Sequence, residues 1–257
     1  MDKFTVLVIG DSCEDEFVYG SVTRISPEAP VPVFKYEYAE KSLGMASNVN
    51  ENLKSFGIQT NLITQKESIV KTRFIDKTSG QQLMRMDEEG TSSLCSAAQV
   101  RIAFIHGSYD AMVISDYDKG FLGETELEAL CNTFEGPVFV DTKKKKLFHK
   151  ENVFYKINER EYNQLDPDYI PPVSNLIVTY GSNGVKWQGI HFPSEKVNVY
   201  DVVGAGDTFL AALVYNYLST SDMEKSIDFA NRAAAIAVQH TGTYKLTEDD
   251  INLLHRH

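Results

Sequence analysis

The chain has 257 residues, with 25 basic and 36 acidic side chains for a formal charge of −11. That balance argues against nucleic acid as a main partner, yet a local basic pocket could still hold a small anion. Hydrophobic residues make up 42% and charged residues 24%, the mix of a soluble globular enzyme. Cys13, Cys95 and Cys131 lie far apart without CxxC spacing, as reduced thiols of a cytoplasmic protein would. The apolar residues before Gly10 are too few for a signal peptide, and no run approaches the ~18 apolar residues of a membrane span.

In chain order, "FTVLVIGD" (4–11) is a continuous apolar run ending in Gly-Asp, which predicts a buried strand with its functional end at Asp11. "VPVFKYEYAE" (31–40) alternates, which predicts a half-buried strand with Phe34, Tyr36 and Tyr38 on one side. The stripe of Val49, Leu53 and Phe56 predicts a helix over 46–57 that stops at Gly57. Residues 69–89 give two more strands around a Ser-Gly turn. Short buried strands follow at 111–116, 137–142, 152–158 and 174–181, with helices such as 124–134 between some of them, and helices 204–219 and 222–239 come last. Alternating strands and helices predict an α/β fold with a mainly parallel sheet, whose ligands sit at the carboxyl ends of strands. Asp11, Asp116, Asp141, Asn158 and Gly181 fall on that edge. The alternating strands at about 20–40 and 69–87 do not suit a parallel core and are assigned to a small covering sheet, a lid.

The stretch "VVGAGDTFLAAL" (202–213) places Asp207 where a buried helix should begin. Locally it fits two roles. It is an N-cap, or it is a base beside a phosphate held by the N–H groups of Gly204, Ala205 and Gly206. There is no Walker A sequence, and "GAGDTF" is not the dinucleotide pattern GxGxxG.

"VIGD" (8–11), "GMASNVNENLKSFG" (44–57), "KINEREY" (156–162), "VTYGSNGV" (178–185) and "DVVGAGDTF" (201–209) occur together and in order. In this the chain resembles the ribokinase-like (PfkB) carbohydrate kinases. Residues 24–33, "RISPEAPVPV", are further similar to the lid of the D-glycero-D-manno-heptose 7-phosphate kinases, and "GQQLMRMDEE" (80–89), "ISDYDKG" (114–120) and "FANRAAAIAVQHTGT" (229–243) extend the likeness. The resemblance implies a ribokinase-like three-layer sandwich with a small β-sheet lid, a single kinase domain over 1–257. Relatives are often fused to a nucleotidyltransferase domain, and none is expected within these residues.

It also implies ATP and Mg²⁺ as cofactors and a sugar phosphate as acceptor, most simply at the anomeric hydroxyl of D-glycero-D-manno-heptose 7-phosphate. Asp207 would be the base, with Gly204, Ala205 and Gly206 around the transferred phosphoryl. Asp11, Asp15, Gly44 and Asn48 would line the sugar. Arg85, Lys119 and Lys143 are candidate clamps for a phosphate on it. Asn158 and Glu161 would serve the metal through water, with Thr179, Gly181, Gly184, Asn231 and Gly242 around the nucleotide. A single lid sheet leaves one face bare, so a homodimer through the lid is expected. Alternatives are a kinase for another sugar phosphate and a non-catalytic module that binds sugar or protein. The chain departs from the family in four places: a shortened segment after Gln65, Met45 for a second glycine, "KIN" for T-P-N, and "DTKKKK" (141–146) for Asp-Pro-Lys, in which Lys144 to Lys146 read as a solvated charge run.

Overall fold

The protein is described by a computed structural model covering residues 4–90, 92–96, 100, 103–104 and 107–256. β1 (Thr5–Gly10) is the apolar run seen in the sequence, and all but its first residue are buried. It lies between β4 (Gln59–Ile63) and β7 (Ala111–Asp116), parallel to both. β8 (Val138–Thr142), β9 (Val153–Asn158) and β10 (Leu176–Thr179) continue the parallel set, and the hairpin β11 (Val185–Trp187) and β12 (Ile190–Phe192) closes it antiparallel. The strand order is β12-β11-β10-β9-β8-β7-β1-β4.

Alternation along these strands builds two cores. Val6 and Val8 of β1, with Ala111, Val113 and Phe139, face helices Ala46–Ser55, Ala205–Thr220 and Met223–Ala237. Leu7 and Ile9, with Met112, Ile114, Val138 and Val140, face helix Glu124–Thr133 on the other side. Strands buried on both faces are what a continuous Val/Ile/Leu pattern requires. The result is the expected three-layer arrangement.

The second sheet has the order β3-β2-β5-β6, made of β2 (Ser12–Ile25), β3 (Pro32–Met45), β5 (Ile69–Asp76) and β6 (Gln82–Glu89). It begins at Ser12, well before the expected position near residue 20, so Asp15 and Phe17 belong to the lid. "GDSCEDEFVYG" (10–20) concealed this because its inward residues are polar as often as apolar. A second correction concerns the aromatic stripe. A register shift between Tyr19 and Gly20 pairs Tyr38 with Tyr19 but Phe34 with Val22. Tyr38 therefore stacks on Tyr19, while Phe34 packs edge-on against Phe74 on the opposite face. Tyr36 is 62% exposed, so the strand is not half-buried within one chain.

The turn after β4, where a shortened segment was expected, is closed by Gln65. Gln65 accepts from the Ser12 N–H at 3.0 Å and donates to the Ser12 carbonyl at 2.6 Å, taking the place of a strand partner at the root of the lid. The sequence reading missed β4, the β11–β12 hairpin and the terminal helix Glu248–Leu254. The first is half-buried at a sheet edge, and the others are short. No helix among the described residues is long and apolar enough to cross a membrane.

Candidate active site

Helix Ala205–Thr220 starts without a side-chain cap. Gly204, at φ 76°, precedes it, and Asp207 sits in its first turn. The N–H groups of Gly206 and Asp207 meet no backbone acceptor among the described residues. Open N–H groups at the positive end of a helix dipole suit an anion. A Cβ at Gly204 would come within 2.8 Å of Asn48 Nδ2, and one at Gly206 within 2.8 Å of Lys156 Nζ. The two glycines therefore allow Asn48 and Lys156 to approach the turn.

Asp207 is 2% exposed. Asn48 donates to its Oδ2 at 3.1 Å and the Tyr117 hydroxyl donates to its Oδ1 at 2.8 Å. Burial pushes the carboxyl up to about 6, with Asp141 adding to the rise and Asn48, Tyr117 and Lys156 opposing it. A carboxyl with such a value is ionised at neutral pH yet basic enough to accept a proton. Asp207 is thus not the N-cap that its local pattern allowed, because its oxygens bond to other elements instead of the helix N–H groups.

Tyr117 joins both ends of the site. Its backbone N–H donates to Asp11 Oδ2 at 2.8 Å, while its hydroxyl reaches Asp207. Lys119 N–H also donates to Asp11 Oδ2, at 3.2 Å, and Asp11 Oδ1 is buried without a hydrogen-bond partner. That oxygen is a free acceptor for a ligand hydroxyl. Burial raises the Asp11 carboxyl above its ordinary value. Gly44 lies in the same wall, since a Cβ there would meet Asp15 Oδ2 and Cys13 Sγ. Asp15 itself is paired with Arg73 across the lid. Burial pushes the Cys13 thiol up to about 12, which makes it a passive residue.

Asn158 and Glu161 form a capping box on the short helix Glu159–Tyr162: Asn158 Oδ1 accepts from Glu161 N at 2.9 Å, and Glu161 Oε2 accepts from Asn158 N at 2.8 Å. Glu161 Oε1 pairs with Lys143. Burial alone would lower the Lys143 ammonium, but Asp141, Glu161 and Asp207 together raise it. Lys156 Nζ binds Asp141 Oδ2 at 2.6 Å in a buried pair, leaving Asp141 Oδ1 without a partner. Among the described residues no group of three or more His, Cys, Asp or Glu could cage a metal ion.

Other expected residues have partners of their own. Arg85 pairs with Asp87 on the exposed lid edge, and Lys119 pairs with Glu89. Asn231 donates to the Pro193 carbonyl at 2.8 Å, fixing the loop after β12. The Gly242 N–H donates to Asp201, and a Cβ there would strike the Phe17 ring. Thr179 donates to the Ile157 carbonyl, while Gly181 and Gly184, both at positive φ, shape the turn into β11. The lysine run is not a solvated face throughout: Lys144, 10% exposed at its side chain, is paired with Asp116 and Asp118. Sequence reasoning missed Tyr117, Lys156 and Arg73. A charge inside the otherwise apolar strand "VFYKIN" was the available signal for Lys156, because a buried ammonium needs a counter-charge.

Residues 159–250 match the pfkB family of carbohydrate kinases. The bifunctional protein HldE of Campylobacter jejuni subsp. jejuni serotype O:6 is 31% identical over 302 residues, covering 99% of this chain and 65% of that protein. HldE of Enterobacter sp. (strain 638) is 32% identical over 292 residues, covering 94% of this chain and 61% of its own length. The chain thus spans less than two thirds of these curated relatives. In structure, ribokinase of Thermotoga maritima aligns with TM-score 0.73 and 16% identity over 99% of this chain and 100% of its own. Phosphofructokinase-2 of Escherichia coli gives 0.74 and 16% over 100% and 99%. At those identities the likeness is one of fold.

Proposed function

We propose that this chain, a member of the pfkB family of carbohydrate kinases, transfers the γ-phosphoryl group of ATP to a hydroxyl of a sugar phosphate, with the anomeric hydroxyl of D-glycero-D-manno-heptose 7-phosphate as the leading acceptor. The observation that carries the reading is the uncapped helix start, with open N–H groups beside a buried carboxylate. Similarity to the HldE proteins supports the heptose acceptor.

In this reading the acceptor hydroxyl hydrogen-bonds Asp207, which takes its proton as the new O–P bond forms and the bond from the γ-phosphorus to the β–γ bridging oxygen breaks. The Gly206 and Asp207 N–H groups hold the phosphoryl oxygens where negative charge accumulates. Asp11 Oδ1 accepts from another hydroxyl and fixes the ring. A positioned base contributes on the order of 10²–10⁴ in rate. The residues present fit Mg²⁺ carried by the nucleotide's phosphates better than a protein cage: the unpartnered Asp141 Oδ1 would accept from a water of the ion, and Asn158 and Glu161 would serve its water shell. Bound there, the ion would neutralise phosphate charge.

The outer lid face supports a homodimer. Phe74 and Met84 are paired on it, and Met84 and Tyr36 are 54% and 62% exposed. Met84→Glu is expected to shift the protein to monomer in sedimentation; a monomeric wild type at high concentration contradicts the dimer. The function itself is tested by ATP consumption over a panel of sugars and sugar phosphates. Turnover of heptose 7-phosphate well above free heptose, ribose and fructose, and dependent on Mg²⁺, is the expected result. Tight sugar binding with no turnover of any acceptor would contradict it and favour the non-catalytic module.

A further inference from the structure

We propose that Tyr117 is a positioning residue that ties the base to the root of the lid: its hydroxyl holds the Asp207 carboxylate, and the ends of three lid strands fix where that hydroxyl stands. This rests on the kinase reading above, with Asp207 as the base. The hydroxyl donates to Asp207 Oδ1 at 2.8 Å, and the backbone N–H of the same residue donates to Asp11 Oδ2 at 2.8 Å. The ring packs on a buried cluster of Cys13, Met45 and Ile69. Cys13 stands near the start of β2, Met45 ends β3 and Ile69 starts β5. Three of the four lid strands therefore meet the ring at the point where they leave the α/β body.

Met45 adopts φ 58°. A bulky residue in that region is strained, and it persists where its surroundings over-determine it. Here it supplies a side chain, absent from glycine, to the cluster on which the Tyr117 ring rests. Two cations add to the hold. The Lys71 ammonium, from β5, lies 5.7 Å from the ring centre, and the Lys143 ammonium, from the segment after β8, lies 4.9 Å from it. Lid and body thus grip one ring.

The hydroxyl at the end of that ring is a lasting donor. Burial, followed by the Asp207 and Asp141 charges, pushes it well above its ordinary value, so it keeps its proton across the working range. A donor to a carboxylate favours the charged form. Asn48 holds the other oxygen of Asp207 at 3.1 Å. Among the charged neighbours Asp141 opposes ionisation of Asp207 and Lys156 favours it, while Lys143 and the Cys13 thiol also face it. A lid root in place sets the hydroxyl on the base and keeps the base ionised. A displaced root loosens that bond and lets the carboxyl take up a proton at higher pH.

The test follows two readouts: the acid limb of kcat on heptose 7-phosphate, and the carbon-13 titration of the Asp207 carboxyl, assigned by its loss in Asp207→Asn. Wild type, Tyr117→Phe, Met45→Gly and the double variant are compared. Tyr117→Phe keeps the ring and removes the donor. Its acid limb and its carboxyl titration are expected to move up by about one pH unit, with KM for ATP held within about threefold. Met45→Gly suits the backbone at φ 58° and removes one side of the cluster, so a smaller shift in the same direction is expected. The double variant should shift no further than Tyr117→Phe alone, because both changes act through one hydroxyl. A limb and a titration unmoved in Tyr117→Phe would overturn the positioning role. An unmoved titration in Met45→Gly would overturn the tie to the lid. So would a shift that adds to that of Tyr117→Phe, since the effect would then run through Asn48. A wild type whose Asp207 titrates at about 6 yet turns over no acceptor removes the kinase reading, and the variants' titrations still decide on Tyr117.

Discussion

Two helix starts in this molecule place a carboxylate in the first turn and put it to opposite use. At Asn158 the turn is closed, because Glu161 and Asn158 satisfy each other's N–H groups in a reciprocal box. At Gly204 it is left open: no side chain caps it, and Asp207 bonds to Asn48 and Tyr117 from distant parts of the chain. A helix end gains stability from its own cap, and it gains ligand affinity by leaving the N–H groups free. The first arrangement spends its N–H groups on its own cap, and the second leaves them open to a ligand.

The sharpest way to break this contrast is to change the carboxylate at the open end. Asp207→Asn is expected to lower kcat by about 10² or more with ATP affinity held within a few fold, measured by steady-state kinetics and nucleotide titration. A kcat near wild type would make Asp207 structural. The same variant should be more stable at neutral pH. The carboxyl is raised from 3.8 to about 6 in the folded protein, so folding favours its protonated form. Its contribution to stability falls as pH rises through that window, and the variant's gain in Tm should be full above pH 6 and vanish below about pH 4.

Gly204→Ala comes next in size. The new Cβ would demand a positive φ of an L-residue and press on Asn48 and Thr243, costing about 1–2 kcal/mol and displacing the donor to Asp207. Thermal unfolding and kcat should both fall. The closed end should respond less: Asn158→Ala is expected to cost about 1 kcal/mol of stability, typical of a lost cap, with kcat reduced by less than about tenfold. A loss as large as that of Asp207→Asn would show the capping box to contribute more to the reaction than a contact through the ion's water shell.

How much of this was legible in the sequence depended on how local each signal was. The runs that became β1, β7 and β8 are buried on both faces, so continuous apolarity announced them. The glycines of the GAGD stretch stand at close approaches to Asn48 and Lys156, a backbone requirement visible in one dimension. The aromatic stripe at Phe34 to Tyr38 misled, since one bulge reverses every side chain beyond it and no residue type marks the bulge. Tyr117 went unnoticed because its hydroxyl acts 90 residues away from its place in the chain. Arg85, Lys119 and Lys143 carry charge as their only signal in the sequence, and in the fold each has a carboxylate partner.

The central claim is that the carboxylate at the open helix start is the base. The most direct test is the pH dependence of kcat for wild type and Asp207→Asn on heptose 7-phosphate between pH 5 and 8. Burial holds the Asp207 carboxyl at about 6, so wild-type kcat should fall roughly tenfold per pH unit below that value and level off above it, while the residual rate of Asp207→Asn should lack that limb. A wild-type profile flat down to pH 5, or the same acid limb in both proteins, would contradict the account.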